Sequence, residues 1–255
     1  LDVWTLSFLF GFQIYFDFSG YSHIALGSAK MIGINFPENF NFPYLSNSPK
    51  DFWRRWHISL SSWVRDYIYL PLSNVKFQNT SIGGLTYATT NKKDFKPLFI
   101  TWALMGLWHG ANWTFVLWGI YHALLIFFYR QILNLNRYFK INIKIYLGWF
   151  FTLPFIMLSW IPFRANSIDD ALKMWSKVVD LFNYNSLNLH ENTYLITAIL
   201  TFGIIIIYNL KIFIDKTEYR FKKLMFVGDI IFISVIFYLT FIFLRPINQF
   251  IYFQF

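Results

Sequence analysis

Thirty-three consecutive residues, 97–129, carry no formal charge, and near their middle stands Trp108-His109-Gly110-Ala111-Asn112-Trp113. A helix needs about 20 residues to cross the hydrocarbon core of a bilayer, so this run is long for one upright span and short for two. Two half-helices meeting at a break fit it best. Gly106 and Gly110 loosen the backbone there, and broken helices at membrane depth persist only where protein or a wet cavity satisfies the freed amides and carbonyls. His109 is then expected to face such a cavity. An ionisable group inside a span marks a functional site by default, and histidine is the side chain suited to moving protons near neutral pH. The competing reading is a small-xxx-small helix contact through Gly106 and Gly110, with His109 only hydrogen-bonding across it.

Composition supports a membrane setting. Of 255 residues, 56% are hydrophobic, 23% aromatic and 14% charged, with a mean hydropathy of +0.41, well away from the balance of soluble domains. The net charge of +9 is gathered between apolar runs, as topology and anionic lipid require, so the lipid bilayer and no nucleic acid is the expected partner. The absence of cysteine excludes disulfides, a cysteine nucleophile, an acyl-cysteine intermediate and thiolate metal sites. His23, His57, His109, His122 and His190 show no close ligand spacing, so no metal is expected, and His122 and His190 read as packing or loop residues. The chain opens at Leu1 directly in an apolar run without a signal pattern. We expect it to be the C-terminal portion of one membrane domain, 1–255, with further transmembrane helices ahead of it.

Residues 3–29 are apolar but carry Asp17, Ser19, Tyr21, Ser22 and His23, a polar density suited to a helix facing protein. Asp17 with Tyr21 and Ser19 with His23 are four apart, which favours local pairing. Residues 35–47, rich in proline and asparagine, read as a loop. Ser48-Pro49-Lys50-Asp51 then signals a helix start. From there to about Leu70 a single amphipathic helix is expected, with Trp53, Trp56, Leu60, Trp63, Val64 and Tyr67 on one side and Asp51, Arg54, Arg55, Ser62, Arg65 and Asp66 on the other. Such a helix lies along the membrane interface. His57 falls on its apolar side, where a satisfied core histidine is the commoner case.

Residues 75–96 read as a loop around Gly83-Gly84. After residue 129 a basic connection (Arg130, Arg137, Lys140, Lys144) leads to a span at 145–163 containing Pro154, then a Ser167-capped amphipathic helix, a span at 192–210, a basic loop, and a last span at 224–244. Met174 and Trp175 read as packing. Lysine and arginine excess puts 130–144 and 211–223 in the cytoplasm and 164–191 outside. On that scheme the fold around His109 is re-entrant, with the histidine near mid-membrane and reachable from outside.

Four motifs in order, Phe16-Asp17-Phe18-Ser19-Gly20-Tyr21-Ser22, Phe36-Pro37-Glu38-Asn39-Phe40-Asn41-Phe42-Pro43-Tyr44, Phe52-Trp53-Arg54-Arg55-Trp56-His57-Ile58-Ser59-Leu60-Ser61 with Trp63-Val64-Arg65-Asp66-Tyr67, and Gly106-Leu107-Trp108-His109-Gly110-Ala111-Asn112-Trp113, resemble the bacterial membrane-bound O-acyltransferases of the alginate O-acetyltransferase branch. Phe163-Arg164-Ala165 and the ending Phe250-Ile251-Tyr252-Phe253-Gln254-Phe255 resemble the same branch. The resemblance implies an all-α, multi-pass integral membrane fold with re-entrant and interfacial helices, His109 as catalytic residue and His57 at the second signature position. It also implies acetyl-CoA or another cytoplasmic acetyl donor, no bound cofactor, and a hand-off to an extracytoplasmic acetyltransferase partner that modifies alginate, another exopolysaccharide or peptidoglycan. The location implied is the bacterial cytoplasmic membrane.

The chemistry is consistent with the residues. Acetyl transfer from a thioester to a sugar hydroxyl needs a base, and an imidazole with an unperturbed pKa of about 6.5 serves near neutrality. His109 is the candidate base, and His57 could bind the acyl donor or orient a proton. Amides freed at a helix break, with Asn112 as a side-chain donor, could stabilise the oxyanion. Arg54, Arg55 and Arg65 could attract phosphates of coenzyme A, although solvated arginines are the commoner case. Trp108 and Asp17 are supporting candidates. Two alternatives stay open: a different acyl group or acceptor, such as D-alanyl to teichoic acid or fatty acyl to protein, and a non-enzymatic transporter whose broken helix lines a path.

Overall fold

The computed structural model describes residues 1–73, 77–79, 85–87, 95–139, 145–180, 184 and 187–216. They divide into two compact units, Leu1–Ala198 and Ile199–Phe255. The expected span at 224–244, the closing motif at 250–255, Gly83-Gly84 and the basic residues Lys140, Lys144, Arg220, Lys222 and Lys223 lie outside the described residues.

Helix α1 (Asp2–Met31) holds the expected first span. Its polar residues turn inward only in part: Ser19 and Ser22 are buried, whereas Tyr21 is 54% exposed and His23 is exposed, with its Nδ1 2.7 Å from the carbonyl of Ser19. Asp17, by contrast, makes no hydrogen bond to Tyr21 among the described residues. Tyr44 donates its hydroxyl to the carbonyl of Gly11 at 2.5 Å, which fastens the loop at 35–47 onto α1.

Residues 49–70 depart from the single helix expected. Helix α2 (Pro49–Arg55) ends early, α3 (Ile58–Val64) restarts after His57, a π-turn covers Arg65–Tyr69, and α4 (Leu70–Leu72) closes the segment. The start is as expected, with the Ser48 hydroxyl accepting the Asp51 amide at 3.1 Å. The break shifts the helical phase, so the apolar side divides. Phe52, Trp53, Trp56 and Val64 are buried, whereas Trp63 and Tyr67 are 52% and 69% exposed. The apolar side of the first half therefore packs into the bundle, while Lys50 and Arg54 on its other side are exposed.

The stretch at 75–96 contains a two-stranded antiparallel hairpin, β1 (Phe77–Asn79) and β2 (Leu85–Tyr87), with Gln78 opposite Thr86. The regular elements among the described residues are thus helical apart from this hairpin.

Helices α5 (Phe95–His109) and α6 (Trp113–Phe139) form the broken pair. Their arms are unequal, which corrects the expectation of two half-helices. Within α6, Trp113–Leu135 is long and apolar enough to cross a membrane by length and composition, and it is the one such stretch among the described residues. Arg130 and Arg137, read as part of a connection, continue the helix. Cations near a helix C-terminus favour its dipole.

Helix α7 (Ile145–Arg164) includes Pro154 and Pro162, and α8 (Ile168–Val179) starts at Ser167, whose hydroxyl accepts the Asp170 amide at 3.1 Å. Trp175 packs as expected, stacked on Tyr121 at 5.4 Å with its indole donating to the carbonyl of Leu158. Helix α9 (Glu191–Lys216) runs past the expected end at residue 210; the second unit's described residues, 199–216, are its later turns. In the first unit the core is aromatic and fully buried at Phe12, Phe52, Trp118 and Trp160. Burial of each large apolar side chain contributes about 1.5–3 kcal/mol.

Candidate active site

His109 is the last residue of α5, and the chain re-enters helix at Trp113. Its ring is half-buried in an aromatic wall, 4.9 Å from Trp108, 5.0 Å from Trp118 and 5.3 Å from Phe163 between centroids. The glycine contact foreseen as the competing reading is present as well. A Cβ on Gly106 would strike the carbonyl of Phe115, one on Gly110 the Phe115 ring, and one on Gly119 the carbonyl of Trp102. Close approach of α5 and α6 therefore builds the wall that His109 lies against. No hydrogen bond to its ring nitrogens is found among the described residues, so the imidazole is not consumed by the helix contact.

His57 occupies the break between α2 and α3 with φ 41° and ψ 58°. A left-handed conformation costs a non-glycine residue roughly 1–2 kcal/mol, and the loop at 39–41 holds it there. The Asn41 amide donates to the carbonyl of Arg55 at 3.0 Å, and the Ile58 amide to the carbonyl of Asn39 at 3.0 Å. The amide and hydroxyl of Ser59 both donate to Asn39 Oδ1, at 3.2 and 2.6 Å. Ser59 Oγ lies 3.4 Å from His57 Nδ1. Phe18 meets the His57 ring edge-on at 4.7 Å.

The two histidines lie along one aromatic neighbourhood. Aromatic contacts link them: Trp56, next to His57, lies 5.1 Å from Trp160, Trp160 lies 5.6 Å from Phe163, and Phe163 reaches His109. Because Phe163 is next to the end of α7, His109 lies level with that end of the helix.

Residues 3–168 match the family model of the MBOAT, membrane-bound O-acyltransferase, family. The chain belongs to the membrane-bound O-acyltransferases. It is 38% identical over 216 residues to "Probable alginate O-acetylase AlgI" of Azotobacter vinelandii, covering 83% of this chain and 40% of that protein. It is 35% identical over 181 residues to "Peptidoglycan O-acetyltransferase" of Helicobacter pylori (71% and 32%) and 36% identical over 146 residues to "Teichoic acid D-alanyltransferase" of Bacillus subtilis (53% and 34%). The matched region is thus 40% or less of the length of these curated relatives.

In this family member the other candidates are spread unevenly. Trp108 stands beside His109 but is 61% exposed. Asn112 caps α6, its Oδ1 accepting the Thr114 amide at 3.1 Å while its amide group approaches the carbonyl of Asn166 at 3.5 Å. Asparagine just ahead of an apolar helix is a legible cap signal, and it gives this side chain a structural task. Arg55 is paired with Asp51 at 3.0 Å and Arg65 with Asp66 at 2.6 Å. Arg54 is exposed and pairs with no carboxylate among the described residues. It has two cationic companions that sequence reasoning passed over. The Lys50 ammonium is held below its usual range by partial desolvation, then by repulsion from Arg54 and from Arg130 of α6. Arg130 in turn donates to the Tyr69 hydroxyl at 3.1 Å. Asp17 is half-buried on α1 and contacts neither histidine among the described residues.

His122 is indeed a packing residue. It is fully buried, and its Nδ1 accepts the Trp53 indole N–H at 3.2 Å.

Proposed function

We propose that the protein is a membrane O-acetyltransferase of the bacterial cytoplasmic membrane, multi-pass, which moves acetyl groups outward for O-acetylation of a cell-surface polysaccharide: alginate, another exopolysaccharide or peptidoglycan. The observation that carries this reading is the half-buried His109 imidazole, unbonded among the described residues and aligned with His57 along one aromatic seam. His109 takes the proton of the attacking hydroxyl as the new C–O bond forms. The thioester carbonyl becomes a tetrahedral oxyanion, which collapses with loss of the thiolate, and the thiolate recovers the proton from His109. Acetyl-CoA is the donor in this scheme. Lys50, Arg54 and Arg130 suit its phosphates better than the paired Arg55 and Arg65, because a cation already bound to a carboxylate has less to offer an anion. An extracytoplasmic acetyltransferase partner finishes the transfer.

The test is His109→Ala in the full-length protein, which should abolish polymer acetylation with membrane insertion unchanged. Retained acetylation removes the mechanism. The similarity to a teichoic acid D-alanyltransferase supports a second reading, D-alanyl transfer. Mass analysis of the modified polymer separates the two by the mass added.

A further inference from the structure

We propose that Ser59 and Asn39 are positioning residues that hold His57 as its Nδ1–H tautomer, so that Nε2 is left as a hydrogen-bond acceptor for a hydroxyl of the acyl acceptor other than the one His109 deprotonates. The inference rests on the reading above, that His57 serves the transfer, and it chooses between the two roles left open for that residue.

Three hydrogen bonds fix the tautomer. A backbone N–H can only donate, so the Ser59 amide at 3.2 Å identifies the Asn39 atom facing it as the carbonyl oxygen and not the amide nitrogen. The Ser59 hydroxyl, 2.6 Å from that same oxygen, must then spend its one proton on it. What Ser59 Oγ has left is lone pairs, so the His57 nitrogen 3.4 Å away satisfies it only as a donor. Nδ1 therefore carries the proton in the neutral ring, and Nε2 is the acceptor. A ring in this state receives a hydrogen bond from a hydroxyl. It cannot donate through Nε2 to a thioester carbonyl or to a phosphate.

The backbone supports the same conclusion. His57 is held at positive φ by amide–carbonyl bonds from the loop at 39–41, which fix the ring's origin independently of any side chain. Substituting the Ser59 side chain leaves those backbone bonds, and the Ser59 amide bond to Asn39, in place, so that variant reports on the hydrogen-bond relay and not on the fold of the break.

The experiment uses full-length protein in native membranes with its partner present. Histidine labelled with ¹⁵N distinguishes the two tautomers by solid-state NMR, with the His57 signal assigned by its loss in His57→Ala. Wild type should show a protonated Nδ1 and a bare Nε2. Ser59→Ala and Asn39→Ala should each give a mixture of tautomers and slow acetyl transfer by roughly fivefold to tenfold, the worth of one hydrogen bond, and Ser59→Thr should restore both. An Nε2–H tautomer in wild type overturns the proposal, as does a Ser59→Ala protein with wild-type tautomer and rate. Full activity in His57→Ala would instead defeat the assignment of His57 to the transfer, while the NMR signals of wild type and Ser59→Ala still decide the tautomer.

Discussion

The indole of Trp53 on α2 donates to Nδ1 of His122 on α6 at 3.2 Å, across 69 positions of sequence. Both rings are buried, and the other imidazole nitrogen, Nε2, has no partner among the described residues. Trp53→Phe leaves a second buried polar atom unsatisfied and should destabilise the protein by about 1–3 kcal/mol. Replacing His122 by phenylalanine in the same protein removes both polar ends and should recover part of the loss. Thermal unfolding of the purified full-length protein in detergent measures both effects.

Gly119→Ala should be severe, because its Cβ would meet the carbonyl of Trp102 and backbone cannot yield as a flexible side chain can. Overpacking of this kind costs about 1–3 kcal/mol, and separating α5 from α6 moves His109 away from Trp118. Acetyl transfer should fall at least as far as stability does. Gly27→Ala on α1, with no neighbouring atom within 4 Å, should be neutral or slightly stabilising on the same two measurements.

If Asn112 serves α6 as a cap, Asn112→Ala should cost about 0.5–2 kcal/mol, and Asn112→Asp or Asn112→Ser should restore both stability and acetyl transfer. Restored stability without restored activity would show that the side-chain amide has a catalytic task beyond capping. Parallel unfolding and activity assays separate these results.

Charge substitutions should sort the arginines. Arg54→Gln and Arg130→Gln are expected to raise KM for the acetyl donor several-fold with kcat held, and more so at low salt, where unscreened charges act furthest. Arg65→Gln, whose guanidinium is engaged with Asp66, should leave KM for the donor unchanged. Steady-state kinetics at two ionic strengths gives the comparison.

The helix starts at Ser48 and Ser167, the inward-facing Ser19 and Ser22 of α1 and the break after His109 were all readable from sequence, because each is caused by residues within a few positions of one another. The cap at Asn112 was equally local but was read as chemistry, since the same amide suits either task. Motif order was enough to assign the family. Tertiary structure alone decided that His57 sits outside the helical register, because the loop that breaks the helix, Asn39 to Asn41, lies 16 to 18 positions away and acts through backbone bonds that no periodicity records. It also decided the pairing of Trp53 with His122 and the gathering of Arg130 beside Lys50 and Arg54. Contacts of that range depend on how α2 packs against α6, and packing is a property of surfaces in space that the spacing of residues along the chain does not encode.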